Sequence, residues 1–293
     1  MIYTIHNEYL SVSINTRGAE LYSLKSKNGV EYIWQRDPNY WSYCAPILFP
    51  IVGSLKDKKT IINGNTYNMN SHGILRTQEF ELFHQDENEI SFINTFSKES
   101  LKSYPFKYKV IVTYTLNGKT LRTNFKVMNE DEHDLPFNIG GHPAFNCPLY
   151  PNEEFTDYKV IFELEESFTS PKVESNGTLN FNEPARRYEG LKELNLDYEL
   201  FSIDTIVIPR VRSKSVRLVN KEGKGIKFSF PNFKSFAIWS PYGKKAPFVC
   251  LEPWIGYGDR FDTDYDFYKK DDLIILKSLE EFNAFYDIEV IEE

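Results

Sequence analysis

Punctuation sets the outer limit on how this chain can fold. Turn-forming pairs recur along it at Asn28-Gly29, Asn63-Gly64, Asn117-Gly118, Asn176-Gly177 and Glu222-Gly223. Asn-Gly in particular favours the tight reversals that join antiparallel strands. Between these pairs lie short runs that alternate or cluster in apolar character. Strands are predicted over residues 9–15, 19–26, 31–34, 89–96, 108–114, 120–128 and 158–163. Later strands are predicted over residues 205–208, 215–219, 226–230, 236–239, 248–251 and 283–290. Helical periodicity is confined to a short turn over residues 97–103, before Pro105. Strands without intervening helices argue for a sandwich or barrel and against a βαβ fold. Residues 170–198 carry the least pattern and read as a long surface excursion. With no repeat and no Pro, Gly or Ser-rich linker, the expectation is one large antiparallel all-β domain over residues 1–293.

Composition agrees. Aromatic residues make up 16% of the 293, with 23 Phe and 19 Tyr, and such side chains suit a pleated surface. The net charge of −8 lacks the basic excess of a nucleic-acid binder and is repelled by anionic membranes. No run of about 18 apolar residues is present to span a bilayer. Cys44, Cys147 and Cys250 cannot all pair and show no metal-type spacing, so reduced buried thiols are expected. The first residues show no basic segment followed by an apolar run, and a cytoplasmic location is expected. An exposed aromatic patch would allow a homodimer.

Three segments could carry chemistry. Gly140-Gly141-His142-Pro143 places an imidazole between two glycines, which permit unusual backbone angles, and a proline that fixes φ; a turn with an incidental histidine fits equally. His72 lies in Ser71-His72-Gly73-Ile74-Leu75-Arg76, where Arg76 could face an anion or a group of hydroxyls. A loop histidine bonded to backbone fits it as well. Glu252 closes an apolar run just before Pro253. A carboxylate there is costly unless paired or used, and burial would raise its pKa toward that of a general base. The alternative is a carboxylate capping the Gly256-Tyr257-Gly258 turn. The spacing of His72, His142 and Glu252 lacks the short ligand pairs of zinc sites, so no metal is expected. His6, His84 and His133 sit among polar neighbours, as solvated residues do. GxSxG, P-loop and GxGxxG motifs are missing.

Taken in order, these segments resemble the aldose 1-epimerase (galactose mutarotase-like) family, and its LacX-type branch most. The resemblance runs through Gly18-Ala19-Glu20-Leu21, the segment from Tyr32 to Asp37 with Trp41, and the segment from Pro46 to Gly53. It continues through His72-Gly73 with Arg76, Gly141-His142-Pro143-Ala144-Phe145-Asn146 and Glu252-Pro253-Trp254. It implies a β-supersandwich that binds a hexose in a concave face and opens and closes the sugar ring without a cofactor. Carried onto matching positions, Glu252 would be the general base, His142 the general acid, and His72 a hydrogen-bonding partner at the ring oxygen. Asp204 falls where the family places a substrate-binding aspartate. Ser54 stands where the family often has a basic residue, so Lys56 or Arg76 would hold the sugar hydroxyls instead. That departure leaves open a phosphorylated hexose, and also a sugar-binding or regulatory protein. A glycoside hydrolase would need paired carboxylates, for which Glu252 and Asp204 are the candidates.

Overall fold

The computed structural model describes residues 1–292. Two antiparallel sheets dominate it. The larger has nine strands, ordered Leu179–Asn195, Lys159–Val173, Ser215–Val219, Gly225–Ser229, Glu281–Ile291, Thr120–Asn129, Tyr108–Asn117, Glu89–Thr95 and Glu81–Gln85. The smaller runs Ile206–Ile208, Ser235–Trp239, Phe248–Ile255, Ile139–Gly141 and Ile47–Leu48, with Ala144–Asn146 also paired to Phe248–Ile255. Smaller sheets of two or three strands and 3₁₀ turns of three or four residues complete it. Among the described residues, no helix is long and apolar enough to cross a membrane.

The pleat explains why the central strands were readable. Tyr108–Asn117 and Thr120–Asn129 alternate buried and partly exposed residues, the period of two expected where only one face meets a core. Several reversals fall on predicted pairs, among them Asn117-Gly118 and Asn63-Gly64. Aromatic rings fill the space between the sheets. Phe228 of the nine-stranded sheet meets Phe145 and Phe236 of the smaller one, with centroids 5.7 and 6.3 Å away, and Tyr286 packs beside Phe228 at 5.2 Å.

Residues 170–198 depart from expectation. They belong to one long hairpin, Lys159–Val173 with Leu179–Asn195, interrupted by four register shifts. Much of it is solvent-facing, and each bulge resets the alternation, so no period survives in the sequence. Glu166 is buried at the hairpin's first shift, where it accepts the backbone N–H groups of Arg212 and Ser213.

A second departure bears on the site. The strand Phe248–Ile255 does not stop at Glu252; it is buried along its whole length and continues through Pro253. The Leu251 N–H donates to the Pro143 carbonyl, so Pro253, two residues on, turns its donor-less nitrogen to the same side. On that side the neighbouring chain leaves the ladder between Gly141 and Ala144. The proline is tolerated where no donor is needed, and His142 occupies the resulting gap.

Candidate active site

Gly140 and Gly141 have ordinary negative-side backbone angles, contrary to expectation. They are needed for close approach instead. A β-carbon on Gly140 would stand 2.7 Å from the Trp254 ring, and one on Gly141 would stand 2.7 Å from Tyr286. With both absent, the segment presses onto the core and delivers His142 into a cleft of about 290 Å³. The cleft is lined by His72, Arg76, His142, Asp204 and Glu252, with Trp41, Trp239 and Trp254 among its walls.

Glu252 and His142 are 1% and 6% exposed. The His142 Nε2 atom lies 3.1 Å from the Glu252 Oε2 atom, although the contact is not aligned as a hydrogen bond. Glu252 Oε2 thus stands buried without a hydrogen-bond partner, as does His142 Nδ1 on the other side of the ring. Trp41 stacks on the His142 ring at 4.8 Å, and Trp239 meets it edge-on at 5.8 Å. His72 also stands edge-on, at 5.3 Å.

His72 is held by backbone. It adopts φ +66°, its N–H donates to the Gly53 carbonyl, and its carbonyl accepts from the Phe49 N–H. The Gly53 N–H donates to His72 Nδ1 at 3.3 Å. Accepting at Nδ1 leaves the proton of a neutral ring on Nε2, so His72 can donate one hydrogen bond into the cleft.

Burial sets the electrostatics. Glu252 is pushed well above the usual carboxylate range by desolvation and by the nearby Asp204 charge, which the Trp254 indole partly offsets. His142 is held well below the usual imidazole range by desolvation, then by His72 and Arg76. His72 is pushed down to about 3 by the same burial and by Arg76. All three groups favour their neutral forms.

A stability consequence follows from the sign of the His72 shift. Unfolded histidine titrates near 6.5, so between about pH 6.5 and 3 the unfolded chain binds more protons at this position. Stability then falls as pH falls through that window. Glu252 acts oppositely, its contribution being lost as pH rises above the ordinary carboxylate value. His72→Asn is therefore expected to flatten the fall in Tm between about pH 7 and pH 4, checked by thermal denaturation of both proteins. An unchanged slope would contradict a neutral His72.

Of the remaining candidates, Arg76 faces the cleft with a buried, unpartnered Nε and its guanidinium 5.0 Å from the Tyr43 ring centroid. Asp204 lines the rim at φ +61°, accepting from the Thr205 N–H and hydroxyl. Lys56 is not part of the cleft. Leu55 beside it is buried, and a 3₁₀ turn with Asp57 at φ +53° carries the chain outward. The Lys56 N–H donates to Asp259 and its ammonium lies 5.3 Å from the Tyr265 ring centroid. Ser54 lines the cleft in its place, its hydroxyl 2.8 Å from that of Ser71. Sequence reading gave no role to Trp239, or to Val173, Gly177 and Leu179 at the tip of the long hairpin, which wall the cleft. Asn176-Gly177 marks a turn, but nothing local says that the hairpin brings its tip to the cleft from far along the chain. Another hollow, of about 310 Å³, is rich in acidic residues, but Asp259 and Asp264 there are already paired with Lys270 and Lys269.

A two-sheet β fold with a buried carboxyl and imidazole side by side in one cleft fits a class of carbohydrate isomerases, and the comparisons give the same class. Residues 1–280 match the family model for aldose 1-epimerase, and the chain belongs to that family, whose members are isomerases. It is 39% identical over 299 residues to the chromosomal protein LacX of Lactococcus lactis subsp. lactis, covering 99% of this chain and all of LacX. A galactose mutarotase related enzyme from Lactobacillus acidophilus superposes with a TM-score of 0.94 at 31% identity, covering 100% of this chain and 98% of that one. A galactose mutarotase-like protein from Lactobacillus casei gives 0.89 at 30%, covering 99% and 100%.

Proposed function

We propose that this protein interconverts the α and β anomers of an unmodified hexopyranose of the glucose or galactose type, by acid-base ring opening and closure. The observation that carries this reading is the buried 3.1 Å contact of Glu252 with His142 inside the cleft. Mutarotation needs a base at the C1 hydroxyl and an acid at the ring oxygen. Both oxygens are bonded to C1, so the two groups must stand side by side.

In the ring-opening direction, the Glu252 carboxylate takes the C1 hydroxyl proton and His142 delivers a proton to the ring oxygen. The bond from C1 to the ring oxygen breaks and the C1 carbonyl forms. Rotation about C1–C2 exposes the other face. On closure Glu252 returns its proton to the C1 oxygen, and His142 recovers one from the attacking hydroxyl. The pair carries a single proton throughout. Burial favours the state in which Glu252 holds it and His142 is neutral, which is the state facing the open-chain aldehyde. His72, kept neutral, donates a hydrogen bond from Nε2 to the ring oxygen as it gains charge. Arg76 and Ser54 hold ring hydroxyls, and Asp204 accepts from another.

The same count fixes the pH dependence. A second proton must go onto His142, so the acid limb of kcat/KM is expected below the ordinary imidazole pKa of about 6.5. Loss of the single proton sets the alkaline limb, well above the ordinary carboxylate value of about 4.3. These values belong to the pair rather than to either residue. His142→Asn is expected to remove the bell shape and lower the plateau about 10²–10⁴-fold. A retained bell would assign the acid elsewhere.

The unmodified sugar is favoured because, among the described residues, Arg76 is the single cation lining the cleft, against Asp204 and Glu252; a phosphate would be drawn to a more basic wall. The test is polarimetry of freshly dissolved α-D-glucose, α-D-galactose and their 6-phosphates. Faster decay for the free sugars alone is the expected result. Acceleration confined to the phosphates would overturn the substrate class, and acceleration of none would overturn the activity.

A further inference from the structure

One cysteine stands apart from the other two. Cys250 is two residues before Glu252 on the strand Phe248–Ile255, so their side chains share a face. The potential ligand atoms of His142, Cys250 and Glu252 all lie within 4.8 Å of one another. Among the described residues no other group of this kind forms. Cys44 lies against Arg36 and the Leu21 carbonyl, and the Cys147 thiol faces the Phe155 carbonyl.

We propose that His142, Cys250 and Glu252 form a three-ligand site for a thiophilic divalent cation of the zinc type, which silences the cleft by occupying its acid and its base. The silencing rests on the mutarotase reading; the binding does not. Imidazole, thiolate and carboxylate are the common ligands of zinc, and three protein ligands leave a fourth position for water. Zinc–ligand bonds of about 2.0–2.3 Å imply ligand atoms roughly 3.3–3.6 Å apart in a tetrahedron. The His142–Glu252 edge, at 3.1 Å, is already close to that. The Cys250 thiol must close by roughly 1 Å, within the reach of a side-chain rotation. Glu252 Oε2, one end of the His142–Glu252 edge, is also buried without a hydrogen-bond partner.

Charge favours the exchange. Before binding, the carboxyl, thiol and imidazole sum to zero. On binding, the thiol and the carboxyl each release a proton to solvent, and the cation with two anionic ligands again sums to zero. No net charge is buried, which a site this dry requires. The cleft provides the route in, since His142 and Glu252 line it, while Cys250 stands fully buried.

The test uses the full-length reduced chain with Co²⁺ as a spectroscopic probe and Zn²⁺ as the inhibitor. Co²⁺ is expected to bind one per chain with a thiolate-to-cobalt absorption band. Zn²⁺ should displace it and slow anomer exchange at least ~100-fold, as loss of acid and base together demands, with recovery on adding EDTA. Cys250→Ala should abolish the band and weaken Zn²⁺ inhibition about 100-fold; Cys147→Ala should change neither. Should Cys250→Ala fail to fold, Cys250→Ser replaces it, and the wild-type spectrum decides independently. A cobalt spectrum without a thiolate band, or a band that Cys147→Ala removes, overturns the site. Equal Zn²⁺ inhibition of the Cys250 variant overturns the role of the thiol. If no sugar is turned over, the cobalt spectrum still decides the site, and it is the function reading that fails.

Discussion

Glu252→Gln is expected to lower kcat/KM for anomer exchange by about 10³-fold or more while leaving the chain folded. General acid-base groups contribute about 10²–10⁴-fold each, and here one group holds and returns the proton in both directions. The amide matches the carboxylate in shape but cannot cycle a proton. Folding should not suffer. Glu252 is 1% exposed, and desolvation already opposes its charge, so removing the ionisable group removes a cost. Tm near neutral pH is expected to hold or rise. Steady-state rates and thermal melts on the same preparation check both halves. Full activity in the variant would place the base elsewhere; a collapse of Tm would make Glu252 a structural carboxylate.

The second large effect comes from backbone. Gly73 holds φ +75°, and a β-carbon there would lie 2.1 Å from the Phe49 carbonyl oxygen and 2.9 Å from Pro50 Cδ. Neither neighbour is a flexible side-chain end. Gly73→Ala must therefore shift the segment that passes from Phe49 to Gly53, or the His72 turn that pairs with it. Left-handed strain costs about 1–3 kcal/mol and overpacking about 1–3 more, so a loss of about 2–6 kcal/mol is expected. Activity should fall as well, because the same turn aims His72 and anchors it to Gly53. Gly29→Ala is the internal control. It also sits at positive φ, but a β-carbon there meets nothing within 4 Å, so its cost should be confined to strain. Urea denaturation of both variants checks the difference, and equal losses would contradict the contact argument.

What the sequence disclosed follows the physics of local pattern. One-sided strands such as Thr120–Asn129 alternate, and reversals such as Asn117-Gly118 need special backbone angles, so both leave a mark. The long hairpin shows only its turn at Asn176-Gly177 and the start of its first arm, because bulges scramble the period of the rest. Its tip residues Gly177 and Leu179 nevertheless close one side of the cleft. His72, His142 and Glu252 were visible because each sits in an unusual local setting, although its reason was misjudged for the glycines at 140 and 141. Lys56 lies outside the cleft because the 3₁₀ turn it opens, with Asp57 and Lys58 both at positive φ, carries the chain away from it. The Cys250 neighbourhood was unreadable for a related reason: its partner His142 is 108 positions away and arrives through strand pairing.

The most direct test of the central claim is two-dimensional exchange NMR on equilibrated D-glucose and D-galactose. The α and β C1 protons resolve, and exchange between them is read without any net reaction. The account predicts cross-peaks between the two anomers with the native protein, far above buffer, and none above buffer with Glu252→Gln. Exchange no faster than buffer for both sugars, or equal exchange in the variant, would contradict the assignment of this cleft as a mutarotase worked by Glu252 and His142.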